Sequence, residues 1–203
     1  MKPERFDAKI VVEPGKRRPD WNASTSPYGY VLGEALSAMG KEIRRGNEFE
    51  AVFWAHQMAI SGAVADDFLW ERLGMTAVED CGLANQSLIT TIMSLKQMYY
   101  ALPEYHEDRL AVAAHAVACL ARSPKSRYTH ELYHAMAQRL RRGELHPEIP
   151  DYALDKHTKR GRQMGRGEEH FIEEGAMLAN EVEFGTRYRN ELRRMAGDDQ
   201  KNE

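Results

Sequence analysis

From Tyr30 onward, apolar positions recur with a helical period. Val31, Leu32, Ala35, Leu36, Met39 and Ile43 fall on one face at 3.6 residues per turn, which predicts a helix. Gly46-Asn47 should stop it, just after Arg44 and Arg45, whose charges suit the partly negative end of a helix. A second helix is predicted from about Glu48, with Val52, Ala55, Met58 and Ala59 inward and Gly62 at its end. A third spans about Val64 to Val78 and carries Phe68, Leu69, Arg72 and Leu73 on successive turns. A fourth follows Asn85 with Leu88, Ile89, Ile92, Leu95, Met98 and Tyr99. Pro103 closes it, because proline lacks the amide proton and its ring clashes with the preceding turn. A fifth begins near Glu104 and holds Leu110, Ala113, Val117 and Leu120. Its alanines at 111, 113, 114, 116 and 118 permit another helix to approach closely. Ser123-Pro124 breaks it, and a sixth helix runs from about Ser126 to Arg142. Residues 144–168 hold two prolines and three glycines and read mostly as loop, and a last helix is predicted over about Glu169 to Met195.

The first 27 residues break this pattern. They carry Pro3, Pro14, Pro19 and Pro27, Gly15, and a Ser/Thr/Asn cluster at 22–26, so an extended or partly disordered arm is expected. Ile10-Val11-Val12 is its one candidate for a short strand. No segment sustains period-2 alternation and no fixed-period repeat occurs, so the fold class is all-α, a multi-helix bundle. The expected organisation is an arm at 1–27, a helical domain at 28–168, and a C-terminal helix with a polar tail at 169–203.

Composition narrows the class. The 203 residues are 42% hydrophobic and 29% charged, with a net charge of −3. That argues against a globally basic nucleic-acid coat but leaves room for a local basic patch. No run approaches the ~18 apolar residues of a membrane span, and the N-terminus has no apolar signal-peptide region. Cys81 and Cys119 are too few for a disulfide framework or a zinc cluster. Buried thiols in a reducing cytoplasm are expected, so the localisation expected is cytoplasmic, without membrane contact.

Three constellations could carry chemistry. His130-Glu131-Leu132-Tyr133-His134 is an H-E-x-x-H pattern. On a helix it sets two imidazoles on one face for a zinc ion, with Glu131 as general base on the bound water. A third ligand is needed; Glu168, Glu169, Glu173, Glu174 and His170 are candidates, and an exposed helix surface is the plainer reading. The second constellation is the segment 156–167, which holds Lys156, Lys159, Arg160, Arg162 and Arg166 with no acid. Its glycines let the backbone approach a phosphate, and each cation could neutralise one nucleic-acid phosphate. No Gly-Lys-Ser/Thr occurs anywhere, so there is no Walker A loop. The plainer reading is a solvated loop balanced by the glutamates that follow. The third is Glu79-Asp80-Cys81-Gly82, where ion pairing with Arg72, Arg109 or Arg122 at a helix end is favoured over acid–base work. Trp54, Trp70 and the methionines read as packing, and His56 and His115 as hydrogen-bonded core residues.

A set of short motifs in order resembles a known family. These are Ile43-Arg44-Arg45-Gly46-Asn47, Ala51-Val52-Phe53-Trp54-Ala55, Ala77 through Asn85, Leu102-Pro103-Glu104, Leu110 through Ala113, and Leu120 through Ser126. Together they look like the C-terminal domain of the replication-associated recombination AAA+ ATPases, called MgsA or RarA, and Werner-helicase-interacting protein in eukaryotes. The resemblance covers about two thirds of the chain. It implies a helical domain related to the clamp-loader collar, which assembles a tetramer and serves stalled replication forks and recombination. The ATPase module has no counterpart in this sequence, so ATP hydrolysis does not carry over. The family also lacks the second His of the 130–134 motif, where its relatives have a packing helix.

The expected function is therefore non-catalytic, with no cofactor: a domain that forms a homo-oligomer, dimer or tetramer, of the DNA replication and repair class. Its expected contact with DNA is the basic run at 156–167, and replication or repair proteins are candidate partners. The alternatives are a zinc-dependent hydrolase using His130, Glu131 and His134, and an accessory subunit that docks on a separately encoded ATPase.

Overall fold

The computed structural model describes residues 9–12, 19–104 and 106–199, and among these the regular structure is helical. They form two compact units that divide between Arg141 and Arg142.

In the first unit the predicted helices appear in order: α1 Leu32–Arg45, α2 Glu48–Ala59, α3 Ala63–Thr76, α4 Ser87–Ala101, α5 Glu107–Arg122 and α6 Tyr128–Arg141. The apolar stripe of α1 is inward as its spacing requires, with Leu32, Met39 and Ile43 all fully buried. Gly46 stops α1 in the left-handed region at φ 80°. Its amide donates to the Ile43 carbonyl (3.1 Å), and the Asn47 amide donates to that of Glu42 (3.0 Å). Those two bonds satisfy carbonyls the helix leaves open, the Schellman arrangement in which glycine avoids a Cβ clash. After α3 the chain widens into a π-turn, Ala77–Cys81, and then a 3-10 turn, Gly82–Ala84. Gly82 has φ 46°, and a Cβ there would lie 3.1 Å from the Ser126 carbonyl oxygen.

The core of this unit gathers Met58 of α2, Leu69, Trp70 and Leu73 of α3, Ile92 and Tyr99 of α4, and Val117 and Leu120 of α5 around the α1 stripe. The Trp70 and Tyr99 rings meet edge to face at 5.2 Å. By contrast α6 contributes no fully buried side chain, and Tyr128, Leu132, Tyr133 and Leu140 are each more than half exposed.

The N-terminal arm differs from expectation where it is described. Lys9 pairs antiparallel with Thr25, and Thr25 with Val31, as isolated bridges and not as a strand. Ser24 and Ser26 are buried, and the Ser26 hydroxyl donates to the Gln57 side chain at 3.0 Å. Trp21 sets its ring 4.4 Å from that of Phe68. Residues 19–27 are thus fastened to the bundle by the Trp21–Phe68 contact, the Ser26–Gln57 bond, and backbone bonds from the Leu32 and Gly33 amides to the Ser24 and Trp21 carbonyls. The expectations for 1–8, 13–18 and the last residues of the tail lie outside the described residues.

The second unit has short elements: a 3-10 turn Asp151–Ala153, α7 Lys159–Gln163, and α8 Glu168–His170 running into a π-turn Phe171–Gly175. The last helix, α9, covers only Arg187–Asp199. The expected helix over 169–195 is therefore broken. Gly175 ends the first part, and Asn180 (φ 54°) and Gly185 (φ 116°) stand in left-handed conformations that no right-handed helix accepts. Met177, Leu178, Val182 and Phe184 could share one helical face but remain at least two-thirds exposed, so burial supplies nothing to offset the glycines.

Candidate functional site

The basic run is built as a capped turn followed by α7. The Thr158 hydroxyl accepts from the Gly161 amide (3.0 Å) and donates to the Asp155 carbonyl (3.1 Å). The Asp155 carboxylate accepts from the His157 amide (2.9 Å) and faces its Nδ1 at 3.0 Å, and these bonds hold its pKa below the usual carboxylate range. Gly161 is required here, since a Cβ would fall 1.9 Å from the Asp155 carbonyl oxygen.

This turn divides the five cations into two kinds. Arg166 turns inward: it makes two bonds to the Asp151 carboxylate (2.8 and 2.6 Å) and donates to the Asp151 and Leu154 carbonyls (2.7 and 3.0 Å). Lys156 bonds the Glu168 carboxylate and lies 4.9 Å over the Phe171 ring. Lys159, Arg160 and Arg162 sit exposed on α7. Arg162 donates to the Lys156 carbonyl (2.9 Å), and among the described residues no carboxylate pairs with any of the three. Two of the sequence candidates thus brace the turn, and three remain open to an anion.

The histidine motif lies on α6 as predicted. The His130 and His134 rings are 4.2 Å apart between centroids. His130 Nδ1 faces the Glu79 carboxylate at 3.9 Å, and Glu131 is exposed. Among the described residues no group of three or more His, Cys, Asp or Glu side chains is placed to hold a metal ion. Glu168, Glu169, His170, Glu173 and Glu174 belong to the second unit.

Asp80 is an ion-pair anchor, but with partners other than those expected. Its carboxylate, 1% exposed, accepts from Arg44 Nε at 2.8 Å and faces Arg127 Nε at 3.6 Å. Its carbonyl accepts from the Ser126 amide at 2.8 Å. The π-turn is thereby tied to the end of α1 and the start of α6. Arg122 instead bonds Glu48 (2.6 Å), and Arg109 faces Asp66 (3.8 Å). Spacing along one helix does not reveal such partners, because they come from distant turns of other helices. Cys81 is buried as expected and Cys119 is half-buried; His115 is exposed rather than core, with Nε2 3.6 Å from the Cys119 sulfur.

A second buried acid escaped the sequence reading. The Tyr99 hydroxyl donates to Asp66 (2.7 Å) and the Tyr100 hydroxyl to Asp67 (2.8 Å), while the Arg109 guanidinium lies 5.0 Å over the Tyr99 ring. Burial pushes the Asp66 carboxyl up to about 6, against the opposing pull of Tyr99 and Arg109. The doublets Asp66-Asp67 and Tyr99-Tyr100 were the available signal. This network borders a cavity of about 290 Å³, which shares Ala59 and Leu110 with an apolar groove of about 440 Å³ between α2 and α5.

No curated protein matches the sequence. A family model described as the MgsA AAA+ ATPase C terminal matches residues 48–180, from the first residue of α2 past the π-turn that follows α8. That match spans more than half of the chain, takes in most of the helices that build the core, and agrees with their all-α arrangement. The chain therefore belongs to the MgsA AAA+ ATPase C-terminal family.

Proposed function

We propose that this chain is a non-catalytic, self-associating interaction domain of the DNA replication and repair ATPase class, and that α7 carries a phosphate contact. The supporting observation is the open set Lys159, Arg160 and Arg162 on a turn stiffened by Lys156, Arg166 and Asp155. A stiff turn presents cations without the entropy loss of ordering a loop, and a symmetric assembly multiplies such weak contacts by avidity. Family membership supports a helical domain that leaves hydrolysis to another module, and these 203 residues hold no Walker A spacing.

The test is a mobility shift of single- and double-stranded DNA against salt. Binding should weaken steeply as salt rises, and replacing Lys159, Arg160 and Arg162 together by alanine should flatten the salt dependence by about one unit of slope per lost contact. DNA that stays unshifted at low salt would remove the nucleic-acid part. Light scattering that gives a monomer at micromolar concentration would remove the self-association.

The rival reading, a zinc-dependent hydrolase, has the two adjacent imidazoles of His130 and His134 in its favour. Elemental analysis decides it: one zinc per chain, lost in His134→Ala, would support it. Metal content unaltered by that substitution would dismiss it.

A further inference from the structure

We infer that α9 of one copy docks in the α2–α5 groove of a second copy. The inference rests on the self-association proposed above and names the surfaces that carry it.

The groove has two unlike walls. α2 supplies Phe49, Val52 and Phe53, and α5 supplies Leu110, Ala111 and Ala114. Phe49 is 81% exposed, so a large apolar side chain stands in water at the mouth of an apolar cleft. Small alanines on the facing wall let a third backbone come close, and aromatic side chains on the other give it apolar surface to cover. This is the shape that receives an amphipathic helix.

α9 has the matching face. Tyr188, Leu192 and Met195 follow at i, i+4 and i+7, on one side of the helix, and are each half exposed or more. From Tyr188 to Met195 the helix rises about 10 Å, within the roughly 15 Å from Phe49 to Ala59 along α2. This helix lies outside the residues matched by the family model.

Charge selects α9 over an arbitrary apolar helix. Glu104 and Glu107 stand where the groove opens into the adjoining cavity, and Glu50 is exposed in the first turn of α2. Glu48 is already bonded by Arg122. On α9, Arg189 and Arg193 are engaged by Glu181 and Glu173, while Arg187 and Arg194 have no carboxylate partner among the described residues. Arg187, whose guanidinium lies 5.5 Å over the Tyr188 ring, and Arg194 are seven positions apart, one near each end of the apolar stripe, and these acids lie near opposite ends of the groove. Opposite signs at the rim bias encounter and orientation more than they add affinity.

The experiment uses the full chain in sedimentation velocity over a range of concentrations, with Phe49→Asp and Leu192→Asp. Both side chains are exposed, so helicity by circular dichroism should be unchanged in both. Each variant alone should self-associate about tenfold more weakly or worse, because a charge in the centre of an apolar contact removes it. An equimolar mixture should recover part of the association. The Phe49→Asp copy still offers an intact α9, and the Leu192→Asp copy an intact groove. Wild-type association that survives both substitutions, or a mixture no better than either variant, overturns the docking and leaves self-association standing. A wild-type chain that is monomeric throughout overturns both.

Discussion

The two units use charge in opposite ways. In the first, carboxylates are buried and matched: Asp80 between Arg44 and Arg127, and Asp66 under Tyr99 and Arg109, each inside a continuous apolar core. In the second, Leu154 and Ala196 are the buried hydrophobic residues among those described, and ion pairs such as Arg166–Asp151 are set into the surface. A buried pair cannot be broken without stranding a charge away from water, whereas a surface pair can exchange its partner for solvent. The first unit therefore holds the buried pairs and apolar core that carry stability, and the second sets its ion pairs at the surface, beside the exposed Lys159, Arg160 and Arg162.

That contrast can be broken most sharply at its apolar centre. Trp70→Ala should cost about 3–5 kcal/mol in denaturant unfolding, because a fully buried indole leaves a large cavity. Trp70→Phe should cost far less, since the indole Nε1 has no hydrogen-bond partner to lose. Next comes Asp80→Asn, which removes the buried anion that Arg44 and Arg127, each about a third exposed, reach at the π-turn, and should cost about 2 kcal/mol in the same measurement.

A gentler probe is pH. The folded-state pKa of Asp66 is raised from 3.8 to about 6, so the folded protein keeps a proton that the unfolded chain releases. Stability from this group is fullest below about pH 4 and is lost as the pH rises through about 6. Asp66→Asn should flatten that part of the stability–pH curve, and an unaltered curve would place the titration elsewhere.

The smallest effects belong to the second unit. Arg166→Ala should loosen the turn by about 1 kcal/mol, read as faster amide exchange at residues 151–166. Arg160→Ala should leave stability within about 0.5 kcal/mol while weakening any DNA shift. If the two arginines behaved alike in both measurements, the division of the run into bracing and open cations would be wrong.

Much of this was legible in the chain itself. The stripe from Leu32 to Ile43, the stop at Gly46, and the break at Ser123-Pro124 all follow from local rules. A 3.6-residue period, a left-handed glycine and a missing amide act over a few neighbouring positions. The resemblance through Ala77–Asn85 rested on short motifs of the same local kind. The helix over 169–195 was misjudged because its apolar residues lacked a partner surface, and periodicity alone does not supply one.

Sequence by itself determined the all-α class, the order of the first six helices with limits good to two or three residues, and the apolar face of α1. Only the tertiary structure decided the pairings. Asp80 finds Arg44 across 36 positions, Tyr99 finds Asp66 across 33, and five apparently equivalent cations separate into two that brace a turn and three that face water. The reason is physical. Helix formation depends on neighbours a turn away, but a charge is fixed by whatever opposite charge the packed core brings within hydrogen-bond reach, and that distance is set only when the helices assemble.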